Sequence, residues 1–142
     1  MKVCDIMTRN VVKIGPEESV EVAARALNHY NIGVLPVCSA DGKLCGVVTD
    51  RDLVTRCLAT NKSAANTTIR QVMTRQVLSV TPDTDAAMAA HLMGRQQVRR
   101  LPVVENGRVC GMLSLGDLAG QKEGVSEAAD ALGEITAGLR KD

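Results

Sequence analysis

Aromatic side chains are almost missing: the 142 residues include one tyrosine, Tyr30, and neither tryptophan nor phenylalanine. Single-stranded nucleic-acid binders stack bases on aromatic platforms, so that class is disfavoured. An excess of charge of one sign is missing too. Seventeen Lys and Arg stand against sixteen Asp and Glu, a formal net charge of +1, which gives no field for a duplex or an anionic membrane. No apolar run reaches the ~20 residues of a membrane span, and the opening MKVCDIMTRN lacks the apolar stretch of a secretion signal. A cytoplasmic protein is expected.

The cysteines Cys4, Cys38, Cys45, Cys57 and Cys110 are odd in number and form no C-x-x-C. That argues against a disulfide framework and against a zinc site. Cys45 and Cys110 hold equivalent positions just before a glycine in a strand and read as small buried hydrophobes, while Cys38 and Cys45 flank a turn and can face one another. His29 and His91 lack a Cys or carboxylate partner at ligand spacing. There is no G-x-S-x-G, no Walker A loop and no Cys-His pairing. With neither a catalytic constellation nor a metal cluster, the chain reads as a non-enzyme.

What is present is a duplication. GKLCGVVTDRDL, ending at Leu53, returns as GRVCGMLSLGDL, ending at Leu118, and each follows a Leu-Pro-Val at 35–37 and 101–103. Met7-Thr8-Arg9 returns as Met73-Thr74-Arg75 and Pro16 as Pro82, an offset of 66; after the turn at Asp41-Gly42 the offset drops to 65. A one-residue slip at a turn is where length changes cost least. Two copies of one supersecondary unit are expected, neither able to bury its apolar face alone.

Each copy reads β-α-β-β-α. The first predicts a strand over 11–14, a helix capped by Ser19 with Val20, Ala23, Ala24 and Leu27 on its apolar face, a hairpin of 34–38 and 44–48, and a helix opened by Thr49. That last helix places Leu53, Val54, Cys57 and Leu58 on one face. The second predicts a strand over 77–80, a helix over 85–95, strands over 101–104 and 108–113 around Asn106-Gly107, and a helix from Ser114. Residues 61–68 form a polar linker, and 69–73 a helical turn matching 3–7. The expected boundaries are 1–62, 63–121 and a 122–142 extension. In the extension Val125, Ala128, Leu132, Ile135 and Leu139 predict an amphipathic helix that packs on its own domain or on a partner.

The chemistry sits in Thr49-x-x-Asp52 and Ser114-x-x-Asp117. A hydroxyl residue followed three positions later by an acid is a helix capping box. The same geometry also suits a nucleotide, because the hydroxyl donates to phosphate and the carboxylate accepts a ribose diol, with the helix start favouring anions. The cap reading and the ligand reading are compatible. Arg99-Arg100 precedes one Leu-Pro-Val where Gly33-Val34 precedes the other. Two adjacent arginines suit either solvent or a polyphosphate, so the two halves should be unequal binders. Asp50 beside Asp52 opposes polyphosphate binding unless Arg51 or Arg100 compensates.

On these residues, residues 1–120 resemble a tandem cystathionine-β-synthase (CBS) domain pair, or Bateman module. The resemblance implies an α/β (α+β) fold of two packed β-α-β-β-α units with two clefts for adenine nucleotides or related adenosyl ligands. It assigns Thr49 and Asp52 with Leu78, Arg99 and Arg100 to one cleft, and Ser114 and Asp117 with Val12, Gly33 and Val34 to the other. It further implies AMP, ADP or ATP as ligand, adenine lying against aliphatic side chains, a homodimer, and a regulated protein supplied in trans. A dimerisation scaffold without a nucleotide is the alternative.

Overall fold

The computed structural model describes residues 1–121 and 124–140. Its helices and strands run α1 (Val20–Tyr30), β1 (Val34–Cys38), β2 (Leu44–Thr49), α2 (Asp50–Arg56), α3 (Ile69–Val72), α4 (Ala86–Gln96), β3 (Arg100–Glu105), β4 (Arg108–Ser114), α5 (Leu115–Ala119) and α6 (Val125–Arg140). The strands make two antiparallel two-stranded sheets, β1-β2 and β3-β4.

The chain divides into two compact units. One holds Val12–Val77 with Gly107–Val109; the other holds Met1–Val11, Leu78–Asn106 and the residues from Cys110 onward. The first is built around Ile14, Val20, Ala23, Leu27, Leu35, Val37, Val48, Leu53, Cys57, Ile69, Val72 and Met73. The second is built around Val3, Val80, the α4 alanines, Met93, Leu101, Val103, Leu113 and Leu118, together with Ala128, Ala131 and Ile135 of α6. The opening segment thus joins the second unit: Val3 is fully buried there, and its N–H bonds Thr84 O at 2.9 Å.

Local chemistry explains most boundaries. Ser19 caps α1 by accepting from the Val22 N–H, and Asp85 caps α4 by accepting from the Ala87 N–H. Both helices stop at a left-handed residue, Asn31 (φ 54°) and Gln97 (φ 56°). The predicted strands over 11–14 and 77–80 contract to single parallel bridges, Ile14 to Val37 and Val80 to Val103. Each is followed within two residues by Gly15-Pro16 or Thr81-Pro82, and proline has no N–H with which to extend a ladder.

Three expected faces differ. In α1 Ala24 is exposed while Val20, Ala23 and Leu27 are buried. At α2 Leu53 and Cys57 are buried, but Val54 and Leu58 stand out at 54 % and 62 % exposure, because seven residues turn only one narrow stripe inward. In α6 the inward stripe is Ala128, Ala131 and Ile135, whereas Val125 and Leu132 are exposed. Small alanines let α6 lie close to α4 and α5, and a β-carbon at Gly94 would meet the Glu134 carboxylate at 3.0 Å. The Leu139 side chain and residues 122–123 and 141–142 lie outside the described ones.

The repeated glycine has a mechanical cause. Gly46 in β2 is crossed by the segment that follows α3: Val47 and Thr74 exchange both backbone hydrogen bonds, at 3.0 and 2.8 Å. A β-carbon on Gly46 would lie 2.4 Å from Thr74 O. Gly111 repeats this, with Thr8 and Met112 exchanging bonds at 2.9 Å and a β-carbon 3.0 Å from Thr8 O and 2.6 Å from Met7 Sδ. The Met-Thr and Gly motifs are therefore two sides of one crossing. Gly46→Ala is expected to cost about 1–3 kcal/mol through overpacking against backbone. Gly133→Ala in α6, where a β-carbon meets nothing within 4 Å, should be stabilising by up to ~1 kcal/mol. Urea unfolding of both variants checks the contrast; equal midpoints would refute the crossing argument.

Candidate ligand-binding site

β2 ends at Thr49 in extended backbone (φ −114°, ψ 163°) and α2 begins at once. Thr49 Oγ1 accepts from the Asp52 N–H at 3.1 Å, and the Thr49 N–H donates to Asp52 Oδ2 at 3.0 Å. At the second junction Ser114 (φ −111°, ψ 158°) accepts from the Asp117 N–H at 3.0 Å and donates its own N–H to Asp117 Oδ2 at 2.8 Å. Both capping boxes expected from sequence are formed, with matching geometry. Each satisfies backbone donors that a helix start leaves open and fixes the acid's rotamer.

The residue before each first hairpin strand is stitched to the same junction. The Asp50 N–H donates to Gly33 O at 3.0 Å, and the Leu115 N–H donates to Arg99 O at 2.8 Å. Val34 pairs with Thr49 across the β1-β2 ladder. Gly33, Val34, Thr49 and Asp52 thus gather in one unit, and Arg99, Arg100, Ser114 and Asp117 in the other. Val12 is half-buried against the first core. Leu78 is 37 % exposed, and Arg99 and Arg100 are exposed.

The two acids differ in surroundings. Asp52 is one of two buried polar residues in the chain's described part, its side chain 10 % exposed. Thr74 Oγ1 approaches both carboxylate oxygens, at 3.4 and 3.5 Å, and Arg56 Nε lies 3.7 Å from Oδ1. Arg56 Nη1 also donates to Met73 O at 3.0 Å and Val72 O at 3.3 Å. Asp117 is half-buried, and among the described residues its carboxylate receives only the Ser114 N–H.

The cation paired with Asp52 is Arg56, a residue not singled out from the sequence. The neighbouring Asp50 accepts from the Arg51 backbone N–H at 2.8 Å. Arg56 was legible as an acid-to-base i,i+4 pair on α2. Thr74 was not, being 22 residues away from Asp52.

All five cysteines are free thiols. Burial pushes the Cys38 thiol up, with Lys13 opposing and Cys45 adding to the rise, which keeps it protonated and a poor nucleophile at neutral pH. Among the described residues no group of three or more His, Cys, Asp or Glu is placed to hold a metal ion.

The model of the CBS domain family matches residues 3–59 and 69–123. The chain belongs to the CBS-domain family. It is similar to the CBS domain-containing protein YhcV of Bacillus subtilis, 34 % identical over 132 residues that cover 93 % of each chain. The fold of this CBS pair superposes on Hypoxic Response Protein I, solved with two coordinated zinc ions, at TM-score 0.80 and 30 % identity over 85 % of this chain and 98 % of that one. It also superposes on the CBS domain pair of MJ0100, solved in complex with 5′-methylthioadenosine and S-adenosyl-L-methionine, at TM-score 0.76 and 30 % identity over 84 % and 94 %.

Unequal environments predict unequal costs. Asp52→Ala removes a buried charged acceptor and leaves Thr74 Oγ1 and the Thr49 N–H without their partner, for about 2–3 kcal/mol. Asp117→Ala loses a cap, for about 1 kcal/mol. Chemical unfolding of the two variants measures both, and equal losses would show that the Arg56–Thr74 surroundings contribute nothing.

Proposed function

We propose that this CBS pair is a non-catalytic sensor that binds an adenosyl ligand and reports its presence to a protein supplied in trans. AMP, ADP and ATP are the nucleotide candidates. The observation that carries the reading is the twinned hydroxyl–carboxylate pair, Thr49 with Asp52 and Ser114 with Asp117. A hydroxyl that donates to phosphate beside an acid that accepts a ribose cis-diol is the minimum needed to read a nucleotide. Supporting it, the 30 % identical pair of MJ0100 is occupied by two adenosyl compounds, 5′-methylthioadenosine and S-adenosyl-L-methionine.

Arg99 and Arg100 are proposed as phosphate contacts, and Val12, Gly33, Val34 and Leu78 as lining. With Tyr30 the sole aromatic residue, adenine is held by aliphatic contact and backbone hydrogen bonds. A homodimer completes the proposal, supported by the exposed Val125 and Leu132 on α6. No described helix is long and apolar enough to cross a membrane. Balanced charge argues against nucleic acid as a partner. Sensing requires the ligand to prefer one of two conformations and the listening protein to do the same.

A second reading, a scaffold without a nucleotide, is favoured by one observation: each acid is already used by its own cap. A thermal-shift panel of AMP, ADP, ATP, S-adenosylmethionine, 5′-methylthioadenosine and NAD separates the two. A ligand present at 100 times its Kd stabilises by about 2.7 kcal/mol, a rise of several degrees. Arg100→Ala should cut the ATP shift more than the 5′-methylthioadenosine shift. No shift with any compound selects the scaffold.

A further inference from the structure

The duplicated acids have the same caps but different second partners. Asp52 is enclosed by Thr49, Thr74 and Arg56, with its side chain 10 % exposed. Arg56 is not a loose surface cation, because its guanidinium is pinned by the carbonyls of Val72 and Met73 at 3.3 and 3.0 Å. The second copy cannot build this arrangement. By the 65-residue offset Gln121 occupies the place of Arg56, and glutamine carries no charge to hold an acid.

We propose that Arg56 and Thr74 form a latch on Asp52, so that the chain takes one adenosyl ligand tightly, through Asp117, and a second only when the latch opens. This rests on the adenosyl-ligand reading above. A ribose diol offers two neutral O–H donors. At Asp117 they meet a half-buried carboxylate with capacity to spare. At Asp52 they must displace the Thr74 hydroxyl, 3.4 Å from Oδ2, on a nearly covered carboxylate whose charge is already balanced by the Arg56 guanidinium, its Nε 3.7 Å away. The latch also ties α2 to the Val72–Thr74 segment, where Thr74 exchanges backbone bonds with Val47. Arg56 is thus a positioning residue: it sets whether Asp52 is available without touching the ligand.

The test is isothermal titration of the full chain with 5′-methylthioadenosine, which carries the diol and no phosphate, and with AMP. The wild type should show one tight event per chain. Asp117→Asn should weaken it tenfold or more. Arg56→Gln and Thr74→Val should each add a second event or strengthen a weak one by about tenfold, and Arg56→Lys should restore the wild-type isotherm. A merely structural role for Arg56 predicts weaker binding, never a gained event, so the gain is the decisive readout. Two wild-type events of equal Kd, or loss of the tight event in Asp52→Asn but not in Asp117→Asn, overturns the latch and leaves the ligand reading standing. Absence of binding in every variant, Arg56→Gln included, overturns both.

Discussion

The strand-to-helix junction is the interaction on which this molecule turns. At Thr49 and again at Ser114 a hydroxyl and a carboxylate three residues on exchange hydrogen bonds with each other's backbone. Each sheet has only two strands, too few to set the direction of the following helix by pairing alone. The reciprocal cap sets it instead, by fixing extended backbone at the hydroxyl residue and helical backbone just after it. On the proposed reading, the carboxylate that closes the cap is also the group offered to a ligand. Structural and binding demands would then compete for one side chain, and what remains of its hydrogen-bonding capacity would decide its use.

The second constraint is close approach. A Thr carbonyl lies over a glycine in each unit, 2.4 Å from where a β-carbon would stand at Gly46 and 3.0 Å at Gly111. This lets the Met-Thr segment add one antiparallel bridge to each two-stranded sheet. It also brings Thr74 within reach of Asp52. Packing thus delivers a second partner for Asp52 to the junction without any local sequence signal for it.

How legible each part was follows from range. Ser19, Asp85, Thr49 and Ser114 announce helix starts through bonds spanning two or three residues, so the sequence pattern placed them. The duplication carried the hairpins, since the turns at Gly42 (φ 85°) and Gly107 (φ 80°) need a residue that accepts positive φ. The strands over 11–14 and 77–80 were overread because their β-branched runs satisfy the period while the nearby prolines limit the pairing. The α6 stripe was misread because period alone cannot say that alanines, rather than Val125 and Leu132, meet α4. Thr74 at Asp52 was invisible for a stronger reason: a contact across 22 residues depends on the glycine crossing, which only coordinates reveal.

Symmetry and its breaking have different physical origins here. The elements that repeat, namely Met-Thr, Leu-Pro-Val, Gly and the hydroxyl–acid pair, are those without which a unit loses its crossing or its cap. Those that differ, Arg56 against Gln121 and Gly33-Val34 against Arg99-Arg100, lie beside the junctions and contribute charge rather than framework. Two identical sites respond to a ligand as a pair of equals, and their occupancy carries one piece of information. On the proposed reading, charge added beside each junction would make the halves respond over different concentration ranges. Arg56 is half exposed, and Arg99 and Arg100 are exposed. The arginine pair can be altered without leaving a buried partner unpaired, whereas altering Arg56 takes the cation away from the nearly covered Asp52 carboxylate. The charge beside each junction can therefore differ between the copies while the crossing and the cap are kept.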